Sequence, residues 1–283
     1  MVTDDNALKV IDHSVSGEEF TLIKNSEFGF LETTPKPDPD KLPHYYESKD
    51  YISHTDSRRN LVEILYHMVR GKALKSKVKL INEYATDGKI LLDIGCGTGD
   101  FLKVAKQNGW YGYGIEPNAH AREIANKKTN HGVFDTDELL KFKQHRFDVI
   151  TLWHVLEHLP DLENQIEIYK KLLKPTGTLI IAVPNHKSYD AIYYQEFWAA
   201  YDAPRHLWHF CKTSMSALLT KHNLKVVDVL PMKFDAYYVS LLSEKYKKAS
   251  FKLIRAFMTG FKSNLKAKRS KEASSLIFVV KNE

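Results

Sequence analysis

From Lys89 onward, short apolar blocks alternate with stretches of helical period. The blocks at 90–94, 112–115, 132–134, 147–152 and 178–183 predict strands. Between them, 101–108, 119–127 and 162–173 carry apolar positions three and four apart and predict helices. This alternation predicts a parallel sheet covered by helices on both faces. Two further strands are expected at 224–230 and 275–280. The first forty-odd residues differ. They hold short strand-like pieces at 20–23 and 28–31, then the proline-punctuated PKPDPDKLP that marks a linker. An aromatic stretch, YYESKDYISH, follows. A helix is expected to start near Asp56 or Ser57, with Leu61, Ile64, Leu65 and Met68 on its apolar face. The organisation read from this is a β unit over 1–44, an aromatic and helical lead-in over 45–88, and an α/β domain over 89–283.

Composition narrows the class. With 283 residues and 43% apolar content the chain can build a substantial core. The balance of 41 basic against 35 acidic residues is too mild to imply nucleic acid by itself. Two cysteines, Cys96 and Cys211, make no disulfide framework and fit a reducing compartment. The opening MVTDDNALKV lacks the basic and apolar regions of a signal peptide, and no apolar run reaches the roughly 20 residues of a membrane span. A cytoplasmic protein is expected.

The chemistry starts at LLDIGCGTGDF, residues 91–101. Three alternating glycines after a strand let a ligand approach the backbone, and the following helix N-terminus offers free N–H groups. The spacing separates the candidates. A dinucleotide fingerprint would place Gly or Ala where Asp100 stands, and a P-loop would need G-K-[ST]. Asp93 at the strand end favours a cationic ligand. Glu116, in GIEPN, lies about 20 residues past the turn, where an acid receives a ribose diol. The ligand read from these residues has a ribose and no pyrophosphate.

These residues resemble the class I S-adenosylmethionine-dependent methyltransferases. LLDIGCGTGDF is similar to that family's first motif, GIEPN to its second and FDVITLWHVLEHLPD to its fourth, while LLKPTGTLIIAVPN leads into its fifth strand. The resemblance implies a Rossmann-like, doubly wound, seven-stranded sheet with an antiparallel last strand, and S-adenosylmethionine as cofactor without a metal. It implies that Asp93, Gly95 and Gly97 line the methionine end, with Cys96, Thr98 and Gly99 completing the turn. Glu116 and Pro117 would meet the ribose, Asp135 the adenine, and Trp153 and His154 the methionine moiety. Tyr45, Tyr46, Tyr51 and His54 are candidates to cap the cofactor, since aromatic faces attract a sulfonium.

An oxygen nucleophile needs its proton removed, which histidine suits near neutral pH. The acid–base candidates are His206, His154 and Tyr201, with His206 lying in W-x-x-x-D-x-P-R-H-L from Trp198, a segment similar to one in many bacterial members of the group. His154 and His158 share i, i+4 spacing, but no third ligand follows at a convincing distance, so no metal is expected. The sequence lacks [DN]-P-P-[FY] after the fourth strand and the Pro-Cys or Thr-Cys of cytosine C5 enzymes. The expected acceptor is therefore an oxygen or carbon of a small molecule, lipid or carrier-bound group. A non-catalytic cofactor-binding module and an RNA-directed enzyme are the alternatives.

Two segments stand apart. The N-terminal unit resembles a zinc ribbon found ahead of this domain in some relatives, with Gly17, Gly29, Pro35 and Pro37 in place and all four cysteines missing. A metal-free β-hairpin unit is expected. The segment 232–274 is rich in Lys and Arg among Phe251, Leu253, Ile254, Phe257, Met258 and Phe261. It predicts a helical insertion acting as a lid. Across 244–271 it also fits contact with an anionic membrane or, after that, with an acidic carrier or nucleic acid.

Overall fold

The structure is a computed structural model that describes residues 7–38, 40–46, 61–86, 88–248 and 250–283. Tyr51, His54, the helix start expected near Asp56, and the side chains of Leu61, Ile64, Leu65 and Met68 lie outside the described residues.

Three strands open the chain: β1 (Leu8–Ile11), β2 (Glu19–Lys24) and β3 (Leu31–Thr34). Helix α1 (Leu61–Tyr84) leads into β4 (Ile90–Ile94). Then come α2 (Asp100–Gln107), β5 (Tyr111–Ile115), α3 (Ala119–Thr129), β6 (Val133–Phe134) and β7 (Phe147–Trp153). Next are α4 (Leu162–Leu172), β8 (Leu173–Pro184), α5 (Tyr189–Tyr194), β9 (Trp208–His209) and α6 (Lys212–Lys221). The chain finishes with β10 (Leu224–Pro231), α7 (Asp235–Tyr246), α8 (Lys252–Ser270) and β11 (Ser275–Asn282).

The main sheet has seven strands in the order β10-β11-β8-β7-β4-β5-β6. Strands β5, β4, β7 and β8 pair in parallel, and β11 runs antiparallel to both β8 and β10. This is the expected architecture, with the expected antiparallel last strand. The middle strands are apolar on both sides because helices cover both faces. Leu92, Ile150, Leu179 and Ile181 pack on one face, and Leu91, Val149 and Ile180 on the other. Helices follow where apolar residues recur at helical spacing: Leu162, Ile166, Tyr169 and Leu172 of α4 are all buried.

The chain leaves β4 toward β5 and β6, then returns to place β7 on the other side of β4. Such a reversal opens a crevice at the carboxyl ends of the strands. Asp93 and Thr151 lie opposite one another in the β4–β7 register at this point.

The small sheet corrects the sequence reading. Its order is β1-β2-β3-β9, so its fourth strand comes from the connection after β8. Strand β1 and the two-residue β9 were not expected. The third strand begins at Leu31, not at Phe28, because Asn25 Oδ1 accepts the amides of Glu27 (3.0 Å) and Phe28 (2.7 Å) and closes a turn there. The turn between β1 and β2 is closed in a similar way. The Asp12 carboxylate accepts the amides of Ser14 (3.1 Å), Val15 (3.2 Å) and Ser16 (3.0 Å).

Candidate active site

Asp93 ends β4 fully enclosed, and its Oδ1 accepts the Thr151 hydroxyl at 2.6 Å. Burial pushes its pKa up to about 7, against the opposing pull of the Thr151 hydrogen bond and the Lys77 charge. The turn that follows needs glycine for two different reasons. Gly95 has φ +65°, and a Cβ there would stand 2.5 Å from Val155 Cγ2. Gly97 has φ +54°, but a Cβ would meet nothing within 4 Å. Its side of the turn is open, as a ligand lying along the backbone requires.

Glu116, at the end of β5, is nearly buried and reaches back to the turn. Its Oε2 accepts the Gly97 amide at 2.8 Å and its Oε1 the Asn118 amide at 2.9 Å. The carboxylate that the sequence assigns to the ribose thus also braces the glycine turn. Arg122 donates to the carbonyls of Glu116 (2.6 Å) and Pro117 (3.0 Å) and pairs with Asp135 at 2.7 Å. The Thr136 amide and the Arg122 charge hold the exposed Asp135 carboxyl below its usual range.

Cys96 is buried behind the turn, and burial pushes its thiol up, so it is not a nucleophile. Thr98 donates to Asp100 at 3.0 Å. Asp100 is neutralised by Lys128 at 2.8 Å and by Arg70. Trp153 stands edge-on to Phe101 with centroids 5.7 Å apart. Over its ring, 4.3 Å from the centroid, lies the Lys77 ammonium, which interacts electrostatically with Asp93 and Asp235. Burial lowers the pKa of Lys77. Neither Arg70 nor Lys77 was singled out in the sequence, because a cation within α1 breaks no pattern.

The histidines depart from expectation. His154 lies in the left-handed region at φ +59°. Its ring is held between Glu157 Oε1 (3.3 Å) and Asp235 Oδ2 (2.9 Å). Burial alone would lower its pKa, but these two carboxylates overcome it and push it up to about 10. His154 is therefore an imidazolium at neutral pH and not a general base. His158 Nδ1 lies 3.0 Å from the Arg205 carbonyl and 3.3 Å from the Tyr46 hydroxyl. Burial and the neighbouring His206 lower its pKa to about 4.

His206 and His158 pack edge to face, with centroids 4.5 Å apart. The two histidine groups that are far apart in sequence are one cluster in space. Tyr46 joins that cluster through its hydroxyl. Tyr201 is buried edge-on to Trp198 (5.0 Å) and His209 (5.5 Å) within the apolar core of the N-terminal unit. It is a packing residue rather than an acid–base group.

Residues 66–229 match the family described as a methyltransferase domain. The chain belongs to the class I S-adenosylmethionine-dependent methyltransferases. As a methyltransferase it takes S-adenosylmethionine as cofactor. Its Asp93 carboxylate, open Gly97 and braced Glu116 suit a cationic ribonucleoside. It is 36% identical over 109 residues to a ubiquinone biosynthesis O-methyltransferase from Haemophilus ducreyi, covering 35% of this chain and 46% of that protein. It is 32% identical over 112 residues to an uncharacterized methyltransferase from Anoxybacillus flavithermus, covering 37% and 53%. The chain thus spans about half the length of the curated relatives it matches. Among solved structures, the fold is shared with an Archaeoglobus fulgidus methyltransferase (TM-score 0.52, 18% identity, 79% of this chain and 100% of that one). It is shared too with magnesium protoporphyrin IX methyltransferase from Synechocystis with bound S-adenosylhomocysteine (TM-score 0.53, 14% identity, 86% and 94%).

Proposed function

We propose that this methyltransferase transfers its methyl group to an oxygen or carbon of an acceptor held at an anionic membrane surface. The observation that carries the reading is the inverted face of α8. That helix buries Ala256, Thr259, Gly260, Ser263 and Ala267, which are small or polar. It exposes Leu253, Ile254, Phe257, Met258, Phe261 and Leu265, and Phe251 just before it, from 46% (Met258) to 80% (Phe251). A helix of a water-soluble face does the opposite. Lys252, Arg255, Lys262, Lys266, Lys268 and Arg269 are interleaved with the apolar residues, the composition of a helix that lies in a bilayer interface. This favours a membrane contact over a solvated lid. Among the described residues no helix is long and apolar enough to cross a membrane.

The Haemophilus relative's name, a ubiquinone O-methyltransferase, supports an oxygen acceptor. S-adenosylmethionine, when bound, supplies a methyl activated by sulfonium. The chain's own residues then have three tasks: Glu116 and the turn bind, Asp93 balances positive charge, and the cover of α1 over Trp153 excludes water. The test is co-sedimentation with vesicles of phosphatidylglycerol against phosphatidylcholine. The native chain should pellet with the anionic vesicles, and Phe257→Asp with Phe261→Asp should cut binding at least tenfold. Equal partition of native and variant, or no sedimentation with either lipid, would overturn the membrane reading while leaving the methyltransferase assignment in place.

A further inference from the structure

Three side chains from outside the glycine turn converge beyond the end of β7. Glu157 is fully buried. Its Oε1 meets His154, and its Oε2 has no hydrogen-bond partner among the described residues. A carboxylate oxygen left so is costly, because nothing replaces the water it has lost. His158 and His206 flank it. The His158 Nδ1 lies 3.0 Å from the Arg205 carbonyl, and the His206 Nδ1 lies 2.9 Å from the Ala200 carbonyl. A carbonyl only accepts, so each Nδ1 carries a proton, and in the neutral ring that leaves the Nε2 lone pair for a ligand bond. Metal-binding histidines are set up in this way, with the far nitrogen tied to a backbone carbonyl that fixes tautomer and ring.

One carboxylate oxygen and one nitrogen from each ring lie within 4.8 Å of one another. A tetrahedral ion with bonds of about 2.1 Å spaces its ligands roughly 3.4 Å apart, so binding would draw the three groups together. We infer that Glu157, His158 and His206 form a divalent transition-cation site, suited by its two imidazoles and one carboxylate to Zn2+. Three protein ligands leave a fourth position for water or for an oxygen of a bound molecule. The family's description calls for no metal, so the inference stands on this chain's own residues. The spacing of His154 and His158 in the sequence points to the wrong pair. The third ligand arrives from the connection after β8, and His154 is already committed to Asp235.

The site is independent of the membrane reading. After dialysis against a chelator, calorimetric titration of the whole chain with Zn2+ should show one equivalent bound. Co2+ should give the visible absorption of a tetrahedral ion. Glu157→Gln and His206→Gln should each weaken Zn2+ binding at least tenfold while S-adenosylmethionine binding persists. No uptake by the native chain, or unchanged affinity in both variants, overturns the assignment. If the variants do not fold, anomalous diffraction from native crystals soaked in Zn2+ decides. A peak among the three side chains supports the site, and a peak elsewhere or none overturns it.

Discussion

The Asp93 carboxyl holds its proton more tightly in the fold than in the unfolded chain, with a pKa near 7 against 3.8. Its contribution to stability is therefore present at low pH and lost as pH rises from about 4 to about 7, by at most about 4 kcal/mol. Asp93→Asn should raise the Tm of the cofactor-free protein at pH 8 and leave it nearly unchanged at pH 4. The same variant should weaken S-adenosylmethionine at least tenfold. In the native chain that affinity should rise between pH 6 and pH 8 as the carboxylate ionises. A flat affinity profile would argue that Asp93 does not meet the cofactor's charge. Asp93 and Glu116 were legible in the sequence because each sits at a strand end at a fixed distance from the glycines. Lys77 was not, since its partner Asp93 becomes its neighbour only when α1 lies over the sheet.

The strand–turn–helix from β4 to α2 gives its two glycines different roles. Gly95→Ala forces a methyl into Val155 and strains a positive φ, whereas Gly97→Ala strains φ with empty space ahead of it. The left-handed strain alone costs about 1 to 2 kcal/mol. Gly95→Ala should therefore lower the Tm more than Gly97→Ala does, while calorimetry should find cofactor binding weakened in both. An equal loss of Tm would mean that Val155 moves aside freely. Elements with a long period or a dense apolar block were readable ahead of the structure, as with β7 and α4. Strand β9 was not, because two residues carry no period, and Trp208–His209 becomes a strand only by pairing with Leu31 and Glu32. The inverted face of α8 was half legible. The basic and apolar residues were plain, but which side packs on α7 is decided by Gly260, whose missing side chain lets Tyr237 come close.

Across the molecule, the N-terminal sheet and the main domain are joined at Arg205. Its buried guanidinium meets Asp12 at 2.9 Å, Asp202 at 2.7 Å and the Tyr45 carbonyl at 2.8 Å. Arg205 holds the Asp12 carboxyl far below its usual range despite the opposing effect of burial. Its stabilisation is present above about pH 4 and is lost only in strong acid. Arg205→Met leaves two carboxylates without their cation and should cost about 3 to 5 kcal/mol in urea unfolding at pH 7. A loss under 1 kcal/mol would show that the unit does not depend on this node. The boundary expected at residue 44 is thus not where contacts end, because the small sheet takes its last strand from 208–209.

That shared sheet sets an order of assembly during synthesis. Strands β1 to β3 leave the ribosome well before their partner does, because Arg205 follows Asp12 by 193 residues. At roughly 5 to 20 residues per second, the first strands wait about 10 to 40 seconds for the side chain that locks them. The small sheet is closed by a side chain made long after its first strands.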